Sequence, residues 1–150
     1  MVSYDTLHGI RNQSSFFFLF FSPSFPPHLC GNTVGVGALC NDNVNGGSSG
    51  CVCIYDWNGA SWIQRGADIY GEAPGDLSGW VNLALSADGN TAYNDGVNGV
   101  DSGHVRVYFW DGSVWSQKGL DIDGEAAGDE SGTVSLSSDG NTVAIGAPHN

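Results

Sequence analysis

Positive charge is nearly missing from this sequence. Four basic side chains, Arg11, Arg65, Arg106 and Lys118, stand against 16 acidic ones over 150 residues, a formal net charge of −12. Such a chain repels phosphate backbones and anionic lipid, so nucleic acid and acidic membrane surfaces are poor partners. Helical patterning is missing too: no useful length of the chain returns apolar residues every 3.6 positions. The apolar run Phe16–Phe21 is far too short to span a bilayer. Catalytic signatures are also lacking. The sequence has no Gly-x-Ser-x-Gly elbow, no phosphate-cradling glycine loop and no His-Glu-x-x-His pattern, and His8, His28, His104 and His149 are scattered. Asp121 and Asp123 could imitate a glycosidase pair, but their glycine-rich turn offers no apolar pocket to raise one pKa. The expectation is a protein that is not an enzyme.

What the chain has instead is glycine, 23 of them, with abundant Asn, Ser and Asp. That composition suits short strands joined by tight turns. It also repeats itself. Residues 94–132, shifted back 53 positions, match residues 41–79 at 23 of 39 positions. Tyr108, Trp110, Gly112, Trp115, Gln117, Gly119, Asp121 and Gly124 each meet the same residue in the earlier copy. A repeat of roughly 50 residues is the period of propellers and solenoids.

Read in order, the unit opens with GNTVGVGA at 31–38, matched by GNTVAIGA at 140–147. Small residues alternating with Val and Ile suit a strand in a crowded interior. A Gly/Asn-rich loop follows, at 41–50 and 94–103. Then comes a strand at 104–110, with Val105, Val107 and Phe109 on one face and Arg106, Tyr108 and Trp110 on the other. Asp111-Gly112, Asn58-Gly59 in the first copy, reads as a two-residue hairpin turn with positive φ at both positions. Its partner strand is expected over 113–122. An acidic loop and a fourth strand, 132–138, complete the unit. After Asn90-Thr91-Ala92 the second copy omits about five residues of the VAIGAP run, so its first strand is expected to be degenerate.

These residues resemble the FG-GAP type of propeller repeat found in integrin α-chain heads and in many secreted or surface proteins. SGTVSLSSDGNTVAIGAP at 131–148 follows that pattern closely, and 78–90 and 31–38 follow it in part. Ser-Gly stands where the pattern has Phe-Gly. The resemblance implies an all-β fold, a partial β-propeller of about two four-stranded antiparallel blades plus one extra strand. The expected divisions are a non-repeat segment at 1–30, repeats at 31–90 and 91–141, and the start of a third at 142–150. Closed propellers need roughly four to eight blades. The chain is therefore expected to belong to a larger protein or to self-associate, so that further blades cover its open edges. The function implied is a binding or adhesion module outside the cell, with a protein or glycan ligand. The alternative is an accessory propeller domain of a secreted carbohydrate-active hydrolase.

Three groups of residues are candidates for chemistry. The family's calcium cage would fall at Ser138–Asn141, a link too short to supply the ligands. Asp121, Asp123, Glu125 and Asp129 instead sit at positions 1, 3, 5 and 9 of one loop, a spacing that lets alternate carboxylates converge on Ca²⁺. The competing reading is that they cap turns. Trp57, Trp62, Trp110 and Trp115 recur at matched places, as core between units or as a sugar-stacking surface. Cys51 and Cys53 are two apart in a strand, about 7 Å along it and awkward for a mutual disulfide. Cys40 could bridge either if its loop folds back. Metal binding through the pair lacks the usual spacing, and His104 and Arg106 replace it in the second copy, so ordinary strand side chains are expected.

The N-terminal segment carries SSFFFLFFSPSFPP at 14–27 and makes a poor secretory signal, with one upstream base and no small-residue cleavage pattern. Phe, Leu, Ser and Pro all have all-pyrimidine codons, and the repeat resumes in mid-motif directly afterwards. Residues 1–30 are therefore expected to be poorly packed, or a translated stretch ahead of a splice acceptor. Long-read transcript sequencing checks this: reads should break near codon 29, and continuous reads through it remove the idea.

Overall fold

Asn58 and Asp111 show how the local chemistry shapes the strands. In the computed structural model, which describes residues 17–20, 32–38, 42–79, 83–96 and 102–150, each closes a hairpin with its own side chain. Asn58 Oδ1 accepts the amides of Ala60 and Ser61 at 2.9 Å each, and Asp111 Oδ1 those of Ser113 and Val114 at 2.8 and 2.9 Å. The loop is thus four residues long, with Trp57 paired to Trp62 and Trp110 to Trp115 across it. The expected two-residue turn does not form, because the Asx side chain captures the amides that such a turn would leave free. Only the glycines, Gly59 and Gly112, take positive φ.

Among the described residues there is no helix; the fold is all-β, in antiparallel sheets. The first sheet holds β1 (Phe17–Phe20), β2 (Thr33–Ala38), β3 (Cys51–Trp57), β4 (Trp62–Gln64) and β5 (Ile69–Tyr70). The second holds β6 (Thr91–Gly96), β7 (His104–Trp110), β8 (Trp115–Gln117) and β9 (Ile122–Asp123). β10 (Thr133–Leu136) and β11 (Val143–Gly146) form a third, two-stranded sheet.

Three local expectations change. The strand expected over 113–122 is two strands, β8 and β9, both paired to β7 and separated by a turn at Gly119, whose φ is 87°. The first strand of the second copy is complete: β6 pairs with β7 from Thr91↔Phe109 to Gly96↔His104, matching Thr33↔Asp56 to Ala38↔Cys51. The missing residues shorten the following loop instead, since a loop tolerates deletion at far lower cost than a ladder. Within the N-terminal segment, β1 lies antiparallel to β2, with Leu19 opposite Val36. That is the place beside β11 that β10 holds, where Val134 faces Ile145. The rest of the segment, with Cys30, and also Cys40, lies outside the described residues.

The core lies between the first two sheets. Val52, Ile54 and Ile69 form a buried face with Leu83 and Leu85, against which Tyr108 and Trp115 of the second sheet pack. Burying each such aliphatic side chain contributes roughly 1.5–3 kcal/mol. The Trp115 indole donates to the Arg65 carbonyl at 2.8 Å. Gly66 lies under the same ring pair: a β-carbon there would come within 2.5 Å of the Trp110 ring. Small residues in β2 serve the expected crowding, with Gly37 packed on the Gly79 backbone.

On the equivalent face of the second sheet Val105 and Val107 are buried like Val52 and Ile54, but its outer end is less covered. Ile69 is 4% exposed, whereas its counterpart Ile122 is 41% exposed. Phe109, Val114 and Leu120 are exposed as well. Gly119, the counterpart of Gly66, has nothing within 4 Å of a β-carbon position.

The pair of glycines supplies a test. Both have positive φ, so alanine strains each backbone by about 1 kcal/mol. Only at Gly66 does the methyl also meet a tryptophan, adding about 1–3 kcal/mol of overpacking. Urea unfolding should therefore show Gly66→Ala clearly more destabilising than Gly119→Ala. Equal losses would mean that the two sheets do not pack together in solution.

Candidate functional site

Each repeat carries two loops at one end of its sheet, and backbone hydrogen bonds zip them together. In the first repeat the amides of Gly71, Gly75, Leu77 and Ser78 donate to the carbonyls of Gly50, Gly47, Ser48 and Ser49 at 3.0–3.1 Å. In the second, Gly124 donates to Gly103 and Ser131 to Ser102, each at 2.9 Å. Buried aspartates hold the turns. Asp76 Oδ2 accepts the Glu72 and Ala73 amides at 2.6 and 2.9 Å, and Asp129 Oδ2 accepts that of Ala126 at 2.8 Å. The result is a fixed, acidic double-loop edge on each unit.

The carboxylates expected to converge on calcium have individual surroundings. Asp129 faces the Ala126 amide, and Asp121 Oδ1 accepts Arg106 Nε at 2.9 Å and Gln117 Nε2 at 2.6 Å. Asp123 lies in β9, and Glu125 is exposed on the loop. Among the described residues, one set of three His, Cys, Asp or Glu side chains brings its ligand atoms within 4.8 Å of one another, and it is Cys51, Cys53 and Asp68. The tryptophans pair within each hairpin, Trp57 with Trp62 and Trp110 with Trp115, both at 5.4 Å between ring centroids.

Position by position, Asp68 is the first repeat's Asp121. Gln64 Nε2 donates to Asp68 Oδ1 at 2.6 Å, as Gln117 does to Asp121. The strand partner differs. In the second repeat Arg106 Nε meets the carboxylate, and its Nη2 reaches Glu72 Oε2 of the first repeat at 2.6 Å. In the first repeat the Cys53 thiol donates to Asp68 Oδ1 at 3.2 Å, and Tyr70 Oη to Oδ2 at 3.2 Å. Neither Cys51 nor Cys53 is in a disulfide.

The electrostatics follow these neighbours. A hydrogen bond with Cys51, then burial, then the nearby Cys51 and Asp68 charges push the Cys53 thiol far up. Tyr55 is raised by burial and then by Cys53, and Tyr70 by burial and then by Asp68. In the second repeat, burial and the adjacent Arg106 lower His104, whose buried Nδ1 has no hydrogen-bond partner among the described residues.

Another shared feature escaped the sequence reading. Arg65 Nη1 donates to the Gly89 carbonyl at 2.6 Å and to Asn90 Oδ1 at 3.0 Å. Lys118 Nζ does the same to Gly140 and Asn141, at 3.2 Å each. Each base thus ties its hairpin to the Asp-Gly-Asn turn that ends its repeat and leads into the next first strand. The matched placing of Arg65 and Lys118 in a chain so poor in cations was the available signal.

Compared with protein families, curated proteins and solved structures, the chain finds no match in any of the three.

Asp121 generates a pH prediction. The Arg106 hydrogen bond holds its carboxyl below the usual range, against burial and with help from Gln117. A depressed folded-state pKa contributes stability above the unfolded value near 3.9, lost as pH falls through the lower folded value. Asp121→Asn should therefore cost about 1–2 kcal/mol at pH 7, less than a fully buried pair because Asp121 is part-exposed. The gap from the native chain should close toward acid. A constant gap across a urea–pH series would show that the ion pair contributes nothing.

Proposed function

We propose that this chain is a non-catalytic binding or adhesion module, a run of FG-GAP-like propeller blades from a larger extracellular protein. The supporting observation is a contact handed on from unit to unit. The face of Val52, Ile54 and Ile69 lies under Leu83 and Leu85 and, from the following unit, under Tyr108 and Trp115. Arg65 reaches forward to Gly89 and Asn90, and Lys118 reaches forward to Gly140 and Asn141. A two-sheet sandwich closes after one such contact. A series that offers the same face again, here around Ile122, is what blades in sequence require. Further blades, in cis or by self-association, would cover Phe109, Val114, Leu120 and Ile122.

The ligand would meet the zipped loops. Rigid scaffolds present binding residues on loops at one end, and here the exposed groups include Asn45, Glu72 and Glu125. The acidic balance favours a protein or glycan ligand that presents positive charge, steered electrostatically and weakened by salt.

The test immobilises the full chain and probes it with a glycan array and a panel of extracellular proteins at rising salt. Saturable, salt-sensitive binding that falls several-fold in Glu125→Lys is expected. Turnover of chromogenic glycosides, or no saturable binding by a folded chain, would reject the reading.

A further inference from the structure

The two repeats solve one electrostatic problem in different ways. Each places an aspartate, Asp68 or Asp121, beside the strand that carries the Tyr and Trp of its hairpin, and each fixes it with a glutamine at 2.6 Å. In the second repeat a buried guanidinium supplies the counter-charge, Arg106 Nε lying 2.9 Å from Asp121. In the first, the same strand positions hold two thiols, and Asp68 is met by a thiol, an amide and a phenol, all neutral. We infer that Cys51, Cys53 and Asp68 form a binding site for a borderline-soft divalent cation of the zinc type, which takes the place the guanidinium fills in the second repeat.

The geometry fits such an ion. Tetrahedral zinc with bonds of about 2.3 Å to sulfur and 2.1 Å to oxygen needs ligand atoms about 3.6–3.8 Å apart. All three ligand atoms lie within 4.8 Å of one another, and Cys53 Sγ is 3.2 Å from Asp68 Oδ1. Small rotamer changes therefore suffice. The supporting shell already exists: Gln64 holds Asp68 Oδ1 and Tyr70 holds Oδ2, which orients the carboxylate. The donor set selects the ion class. Two sulfurs and one oxygen disfavour calcium and magnesium, which take oxygen ligands, and favour zinc. Three protein ligands leave a fourth position for water.

Binding must displace two protons. Each thiol loses its proton to solvent as its sulfur–metal bond forms, so one dication enters and two protons leave. The site does not depend on the propeller reading, since every ligand belongs to the first repeat.

The experiment titrates the reduced, full-length chain anaerobically with Co²⁺ and then Zn²⁺. Thiolate-to-cobalt charge-transfer absorption should saturate at one ion per chain and be bleached by zinc. It should persist in a Cys30→Ser/Cys40→Ser chain. Affinity should fall about a hundredfold or more in Cys53→Ser and about tenfold in Asp68→Asn. Cys53→Arg recreates the pairing of Arg106 with Asp121. It should abolish cobalt uptake while keeping cooperative thermal unfolding, which separates a lost site from a lost fold. Absence of the band in the reduced chain, its survival in Cys53→Ser, or its loss with Cys30 and Cys40 would overturn the proposal.

Discussion

Everything in this molecule depends on an apolar sheet face that its own sheet cannot cover. Val52, Ile54 and Ile69 are buried only because Leu83, Leu85, Tyr108 and Trp115 arrive from further along the chain. Strands of two to seven residues cannot fold back over themselves. Each unit must therefore borrow cover from its neighbour, as repeat proteins do when stability comes from the contacts between units. Gly66 permits the approach by having no side chain where the Trp110 ring rests.

The scarcity of positive charge shapes the rest. Among the described residues, Arg65, Arg106 and Lys118 all reach beyond their own hairpins. Arg65 pairs with Asp56 and, like Lys118, ties down the Asp-Gly-Asn turn at the end of its repeat, and Arg106 reaches back to Glu72. None is spent on an isolated surface pair, where an ion pair contributes little. The many carboxylates find their partners locally instead. Asp88 and Asp139 close matching Ser-x-Asp-x-Asn turns, accepting the serine hydroxyl at 2.6 Å and the asparagine amide two residues on. Asp139 consequently sits below the usual carboxylate range, through its bonds with Ser137 and Asn141; Asp88 does so too, although burial opposes Ser86 and Asn90 there. Acidity here is largely turn chemistry: Asp129 caps the Ala126 turn and Asp121 meets Arg106 and Gln117.

Much of the fold was legible in the residues. The 53-residue repeat, the aromatic strands and the Asn58 and Asp111 turns all depend on neighbours a few positions apart. The break between β8 and β9 was not legible, because Gly119 looks like any other glycine until its backbone is seen. Nor was the recovery of β6, since Tyr93 to Gly96 read as loop when aligned by identity and become strand only when β7 offers a ladder. At the candidate site, Cys51 and Cys53 were visible as a pair, but Asp68 lies 15 residues beyond Cys53 on a different strand connection.

The sequence alone determined the repeat, its β character and the turns, because periodicity, Asx capping and glycine placement act over short range. Only the tertiary structure decided which face is covered, that Ile69 is buried while Ile122 is not, and which side chains meet Asp68. Those outcomes rest on contacts between residues far apart in the chain, and two copies with similar residues acquire different environments where what packs on one differs from what packs on the other.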